Sequence, residues 1–166
     1  MISLEPPREF ATQADPWGAL GLSQPGLSRY LRTAQAAAHL EGEIDVLLTD
    51  DRALRRLNRE FRGKNKATDI LSFPADPTLA GIHAGDLAVS LETAERQAAE
   101  HGHTLRDELR ILLLHGILHL LGMDHESDSG EMASTEAGLR RRLRLPTGLI
   151  ARAAVLPRHQ SGKAAR

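Results

Sequence analysis

The stretch Leu109-Arg110-Ile111-Leu112-Leu113-Leu114-His115-Gly116-Ile117-Leu118-His119-Leu120-Leu121-Gly122-Met123-Asp124-His125 decides the reading of this chain. Ile111, Leu112, Leu114, Leu118, Leu120 and Leu121 make it a buried helix, started by Thr104 and ended by Gly122. His115 and His119 are four apart, so their rings share one helix face, one turn apart. Gly122 can take positive φ and turn the chain sharply, which lets His125 swing back towards the other two. Three imidazoles can then hold one divalent ion and leave a fourth position open for water. A single His on an apolar helix is ordinarily a satisfied core residue. Three of the chain's eight histidines within eleven residues, around a turn glycine, read instead as a ligand set. Burying three imidazoles with no partner for their nitrogens would be costly.

Three neutral imidazoles leave a bound ion its full charge, so its water is acidic, with a pKa of about 7 at three-His zinc centres. Structural zinc is normally closed by four protein ligands, so an open position points to catalysis. Asp124 and Glu126 flank His125, and either is placed to orient a ligand ring or to stand as solvated surface. The spacing His115, His119, Gly122, His125 is that of metzincin peptidases. Those enzymes carry a general-base Glu directly after the first His, where this chain has Gly116, so protein hydrolysis is disfavoured.

Strands and helices alternate outward from this helix. Residues 1–25 are rich in Pro and Gly and are expected to be irregular, with room for one short strand. Leu27, Tyr30, Leu31, Ala34 and Ala38 recur at helical spacing, and Gly42 closes that helix. Ile44–Thr49 reads as a buried strand, and Asp50 caps a helix from Asp51 to Phe61. A basic loop carrying Arg62, Lys64 and Lys66 leads to a strand over Asp69–Phe73, stopped by Pro74. Residues 75–85 read as a loop, Asp86–Ser90 as a strand, and Ser90 caps a helix to Glu100. A last helix covers Gly130–Arg144. This intermixing gives an α+β or α/β fold with a small sheet. Length predicts one domain, residues 1–145, followed by a basic, mobile tail over 146–166.

Charge is uneven. Residues 1–137 sum to −9, and residues 138–166 sum to +8 with no acid after Glu136. Such a segment is either an arm for nucleic acid or a solvated helix end with a loose tail. The absence of cysteine excludes disulfides, thiolate metal sites and Cys nucleophiles. Apolar runs are too short to span a bilayer, and Glu5, Arg8 and Glu9 stand where a secretory signal would need an apolar core. A cytoplasmic protein with no membrane partner is expected.

Three motifs then resemble one family. Leu57 to Pro74, through Arg62-Gly63-Lys64, resembles the first signature of the YbeY family of bacterial rRNA-maturation endoribonucleases. Gly85 to Ser90 is similar to the second, and His115 to His125 to the third at every fixed position. Glu131, Met132 and Glu136 fall where the family has a closing Met/Glu helix. The resemblance covers about residues 40–145. Asn65 stands where the family usually has Asp, and Ala67 where it usually has Pro; both bear on loop shape.

The resemblance implies an α+β fold: a compact layer with a small, mostly parallel mixed sheet packed against helices, the metal-binding helix central. It implies one Zn²⁺ per chain on His115, His119 and His125, Arg62 as the catalytic arginine, and Arg62, Lys64 and Lys66 as RNA contacts. It further implies a single-stranded RNA substrate, the 16S rRNA precursor matured at its 3′ end, and quality control of the small ribosomal subunit with its assembly factors. DNA is not an expected substrate. The competing readings are a zinc hydrolase of another class, peptidase or amidase, and a non-catalytic ribosome-assembly factor.

Overall fold

The computed structural model of the chain describes residues 1–146. Its centre is helix Leu105–Leu120, where Leu109, Ile111, Leu112, Leu113, Leu114, Ile117 and Leu118 are all buried. A helix apolar on every side must be enclosed. In chain order the elements around it are β1 (Ile2–Leu4), α1 (Pro16–Ala19), α2 (Gln24–Ala38), β2 (Glu43–Thr49), α3 (Asp51–Arg62), β3 (Ile70–Pro74), β4 (His83–Ser90) and α4 (Leu91–His101). The central helix is then α5, and α6 (Glu131–Arg142) follows it. One side of α5 lies on β3 and β4, while α2, α4 and α6 pack around the rest of it.

The strands form one mixed sheet in the order β1-β2-β4-β3. β1, β2 and β4 run parallel, and β3 pairs antiparallel with β4, Leu71 opposite Ala88. Alternation sets the faces: Ile44, Val46 and Leu48 of β2 join the main core with Leu87 and Val89 of β4. On the opposite face Leu54 of α3 covers Leu71 and Ala88, with Leu47, Leu57 and Phe73 around them. The fold is α+β with a mostly parallel small sheet, as expected.

Side-chain caps place the helices. Ser23, Asp50, Ser90 and Thr104 each accept a backbone N–H at the starts of α2, α3, α4 and α5. Tyr30 of α2 donates its hydroxyl to the Arg110 carbonyl at 2.8 Å, tying α2 to α5. Its burial raises the phenol's pKa, against the lowering influence of Arg110.

The structure departs from the sequence reading at several ends. The irregular start contains β1 and the one-turn helix α1, each too short to show a period. β4 begins at His83, before the expected Asp86, because the backbone there already pairs with Glu43 of β2. The expected loop of 75–85 holds a single 3₁₀ turn, Pro77–Leu79, and its last three residues already belong to β4. β3 keeps Pro74 because it is the outermost strand. α6 stops at Arg142 rather than Arg144. Of the expected tail over 146–166, only Pro146 lies within the described residues. Among the described residues no helix is long and apolar enough to cross a membrane.

Candidate metal centre

His115 and His119 stand on the last turns of α5, and the chain beyond is turned back by a specific helix ending. Gly122 has φ +84°, its N–H bonds the His119 carbonyl at 2.9 Å, and the Met123 N–H bonds the Leu118 carbonyl at 3.1 Å. This pair of bonds is the Schellman motif, which needs the left-handed residue that glycine supplies most cheaply. It points the Met123 carbonyl at His119 Nδ1, 3.0 Å away. Asp124 then builds the next turn, accepting from the Glu126 N–H and the Ser127 hydroxyl, both at 3.0 Å. These bonds hold the Asp124 carboxyl below its ordinary pKa. The turn carries His125 back, with ring centroids 5.4 Å from His115 and 5.8 Å from His119.

The tautomers follow from the partners. The Met123 carbonyl can only accept, so His119 Nδ1 carries the hydrogen. His115 Nδ1 lies 3.0 Å from Glu136 of α6, and both groups are buried. With the Glu136 carboxylate accepting from His115 Nδ1, both Nε2 atoms present lone pairs, and they face each other 3.0 Å apart. Two opposed lone pairs at that distance repel, and a cation between them removes the repulsion. Tetrahedral nitrogen ligands on zinc at about 2.0–2.1 Å stand roughly 3.3–3.4 Å apart, close to the spacing seen. One nitrogen from each of His115, His119 and His125 falls within 4.8 Å of the others. Burial, then the neighbouring His115 and His125, lower the His119 pKa despite its bond to Met123, which keeps the ring neutral and able to ligate.

Gly116 sits where a metzincin would place its base. A Cβ there would come within 2.8 Å of Ile70 and Leu87. Position 116 therefore faces the sheet, and a Glu side chain would be driven into the core rather than the site.

The histidines line a cleft of about 470 Å³ together with Arg62, Lys64, Thr68, Asp69 and Ser72. Arg62 ends α3 and donates to the Ser72 carbonyl of β3 at 2.9 Å. Buried Asn58 shapes the basic loop: its main-chain carbonyl accepts from the Lys64 N–H, and its side-chain amide donates to the Lys66 carbonyl. Arg62 and Lys64 therefore reach the cleft, while Lys66 is not among its lining residues. Asp69 is fixed by the Gln97 amide at 3.1 Å and the Ile70 N–H at 2.8 Å.

Three contributors were not assigned by the sequence. Glu136 was placed by motif likeness alone, without its role behind His115. The Met123 carbonyl is backbone, and Gln97 lies far along the chain from Asp69. Neither Asp124 nor Glu126 forms a hydrogen bond to a ligand ring; Asp124 builds the turn that delivers His125.

These features define an α+β protein whose central helix and following turn present a three-histidine site, able to hold a metal ion, in a cleft that also carries Arg62 and Lys64. The family model described as Endoribonuclease YbeY matches residues 24–144, and the chain belongs to that family. Endoribonuclease YbeY of Koribacter versatilis is 52% identical over 132 residues, 80% of this chain and 85% of that protein. The Solibacter usitatus protein of the same name is 52% identical over 131 residues, 79% and 86% of the two chains. That of Aquifex aeolicus is 39% identical over 132 residues, 79% and 80% of the two chains.

Proposed function

We propose that this chain is a single-strand-specific, zinc-dependent endoribonuclease of the cytoplasm. Its substrate is the 3′ region of the 16S rRNA precursor, and its partners are the small ribosomal subunit and its assembly factors, in maturation and quality control. One observation carries the reading: the converging imidazole nitrogens share a cleft with Arg62 and Lys64. That cation set suits a phosphodiester.

His115, His119 and His125 hold the ion, one Zn²⁺ per chain, since imidazole suits zinc better than magnesium. When bound, zinc supplies Lewis acidity and an acidic water in the cleft. Glu136 and the Met123 carbonyl fix the first two rings so that their Nε2 atoms face the site. Arg62 spends one N–H on Ser72, and its remaining donors form a fork for non-bridging phosphate oxygens. Lys64 adds a point charge, and Lys66 contributes at longer range from outside the cleft. A volume of about 470 Å³ suits one or two nucleotides of an unpaired strand. Residues 1–145 act as one catalytic unit, and the basic segment 146–166 adds RNA affinity without setting the cut.

The peptidase alternative lacks a base, because position 116 is packed against Ile70 and Leu87. The test is cleavage of a defined 3′-extended 16S rRNA precursor by metal-analysed protein. The expected result is cutting in unpaired RNA, lost with a chelator and restored by zinc, with single-stranded DNA and casein intact. Undiminished cutting by fully metal-free protein, or casein hydrolysis, would overturn the reading.

A further inference from the structure

We propose that Phe61 is a stacking platform for one unpaired base of the RNA strand leaving the cleft, an inference that rests on the RNA reading above. Phe61 is 67% exposed, in a chain with only five aromatic residues. Its ring meets Phe73 edge-on, with centroids 5.4 Å apart and planes at 66°. That contact holds the ring while leaving most of it open to solvent. A fixed, open aromatic face beside cationic groups is how proteins bind single strands without reading sequence.

Position argues for a base as the occupant. Phe61 directly precedes Arg62, whose guanidinium rests on the Ser72 carbonyl, and Phe73 directly follows Ser72. Ser72 lines the metal cleft, and Phe73 lines a second groove of about 640 Å³ on the other face of the sheet. Among the described residues the edge strand β3 therefore lies between the cleft and the platform. Exposed Arg59, Arg62 and Lys64 supply positive charge along this edge. The far part of the groove carries Asp86 and Asp45, the latter paired with the Met1 ammonium at 2.9 Å. The charge along this edge places an incoming strand at the Phe61 end of the groove.

The test uses zinc-loaded protein and a short 2′-O-methyl single-stranded oligonucleotide, compared by fluorescence anisotropy with an abasic strand of equal length. Wild type should bind the base-bearing strand about 5- to 100-fold more tightly. Phe61→Ala should bring that ratio close to one, and Phe61→Trp should keep it. The ratio is insensitive to a general loss of folded protein, because both strands report on the same sample. A ratio unchanged in Phe61→Ala overturns the inference, whether or not the protein cuts RNA. Loss of the ratio in Phe61→Ala, in a wild type that binds RNA but cuts none, supports the platform and overturns the endonuclease reading.

Discussion

The end of α5 and the loop from α3 to β3 line one cleft, yet they are built in opposite ways. On α5, His115 is buried, its Nδ1 is against a buried Glu136, and the His119 Nδ1 is taken by a backbone carbonyl. Each ring has one position and one tautomer before any ligand arrives. On the loop, Arg62 and Lys64 are exposed, and the Arg62 side chain donates to the Ser72 carbonyl. The first region gains from preorganisation in a low-dielectric setting, and the second from charge that water partly screens. Substitutions should therefore be all-or-none on α5 and graded on the loop.

The largest effect is expected for His119→Ala. Loss of one of three ligands should leave RNA cleavage undetectable, with helix α5 still folded. Comparison of melting with cleavage separates catalysis from a purely structural zinc. A variant that melts early in proportion to its lost activity would favour the non-catalytic assembly-factor reading. Next is Arg62→Ala, which should lower the cleavage rate by roughly 10²–10³ while zinc content stays unchanged. Arg62→Lys should recover only part, because Lys lacks the planar fork. Wild-type turnover in Arg62→Ala would remove the loop from the chemistry and collapse the comparison.

Glu136→Gln sharpens the comparison from behind the metal. It keeps the shape but removes the carboxylate that accepts from His115 Nδ1, so zinc affinity should fall about 10–100-fold. Competition with a chromogenic chelator measures this, and an unchanged affinity would mean that α5 alone orients the ring.

The smallest effect concerns how α3, which carries Arg62, is held. Burial alone would raise the Asp51 pKa, but hydrogen bonds from Ser90, Thr93 and Arg96 outweigh it and bring the carboxyl to about 2. A depressed carboxylate stabilises the fold fully above its unfolded pKa of about 4 and loses that contribution as pH falls through about 2. Acid titration of the melting temperature should therefore show a drop over this window that is missing in Asp51→Asn. Equal acid profiles would detach Asp51 from the anchoring of α3.

The legibility of the two regions differs for the same physical reasons. The α5 site is local: i, i+4 spacing and a turn glycine are sequence patterns, so the helix, its end and the three histidines were all readable from residues 104–125. Glu136 reaches His115 from 21 positions away, and no local period encodes that meeting. The Met123 carbonyl belongs to the backbone and has no residue-type signature. On the loop, a cluster of cations was plain, but which of them faces the cleft depends on Asn58 and on the free edge of β3. Lys66 was grouped with Arg62 and Lys64 by proximity in sequence, and the hydrogen bonds from Asn58 separate them in space. Phe61 follows Leu54 and Leu57 at helical spacing, yet its ring is 67% exposed, which no local period encodes.

The proposed ligand set is three imidazoles on one helix end and its following turn. Metal analysis of purified wild type beside the His115→Ala/His119→Ala double variant tests it most directly. About one zinc per chain is expected in the wild type, since three imidazoles favour zinc, and none in the double variant at equal folded fraction. Stoichiometric zinc retained by the double variant would contradict the ligand set and, with it, the account of the cleft.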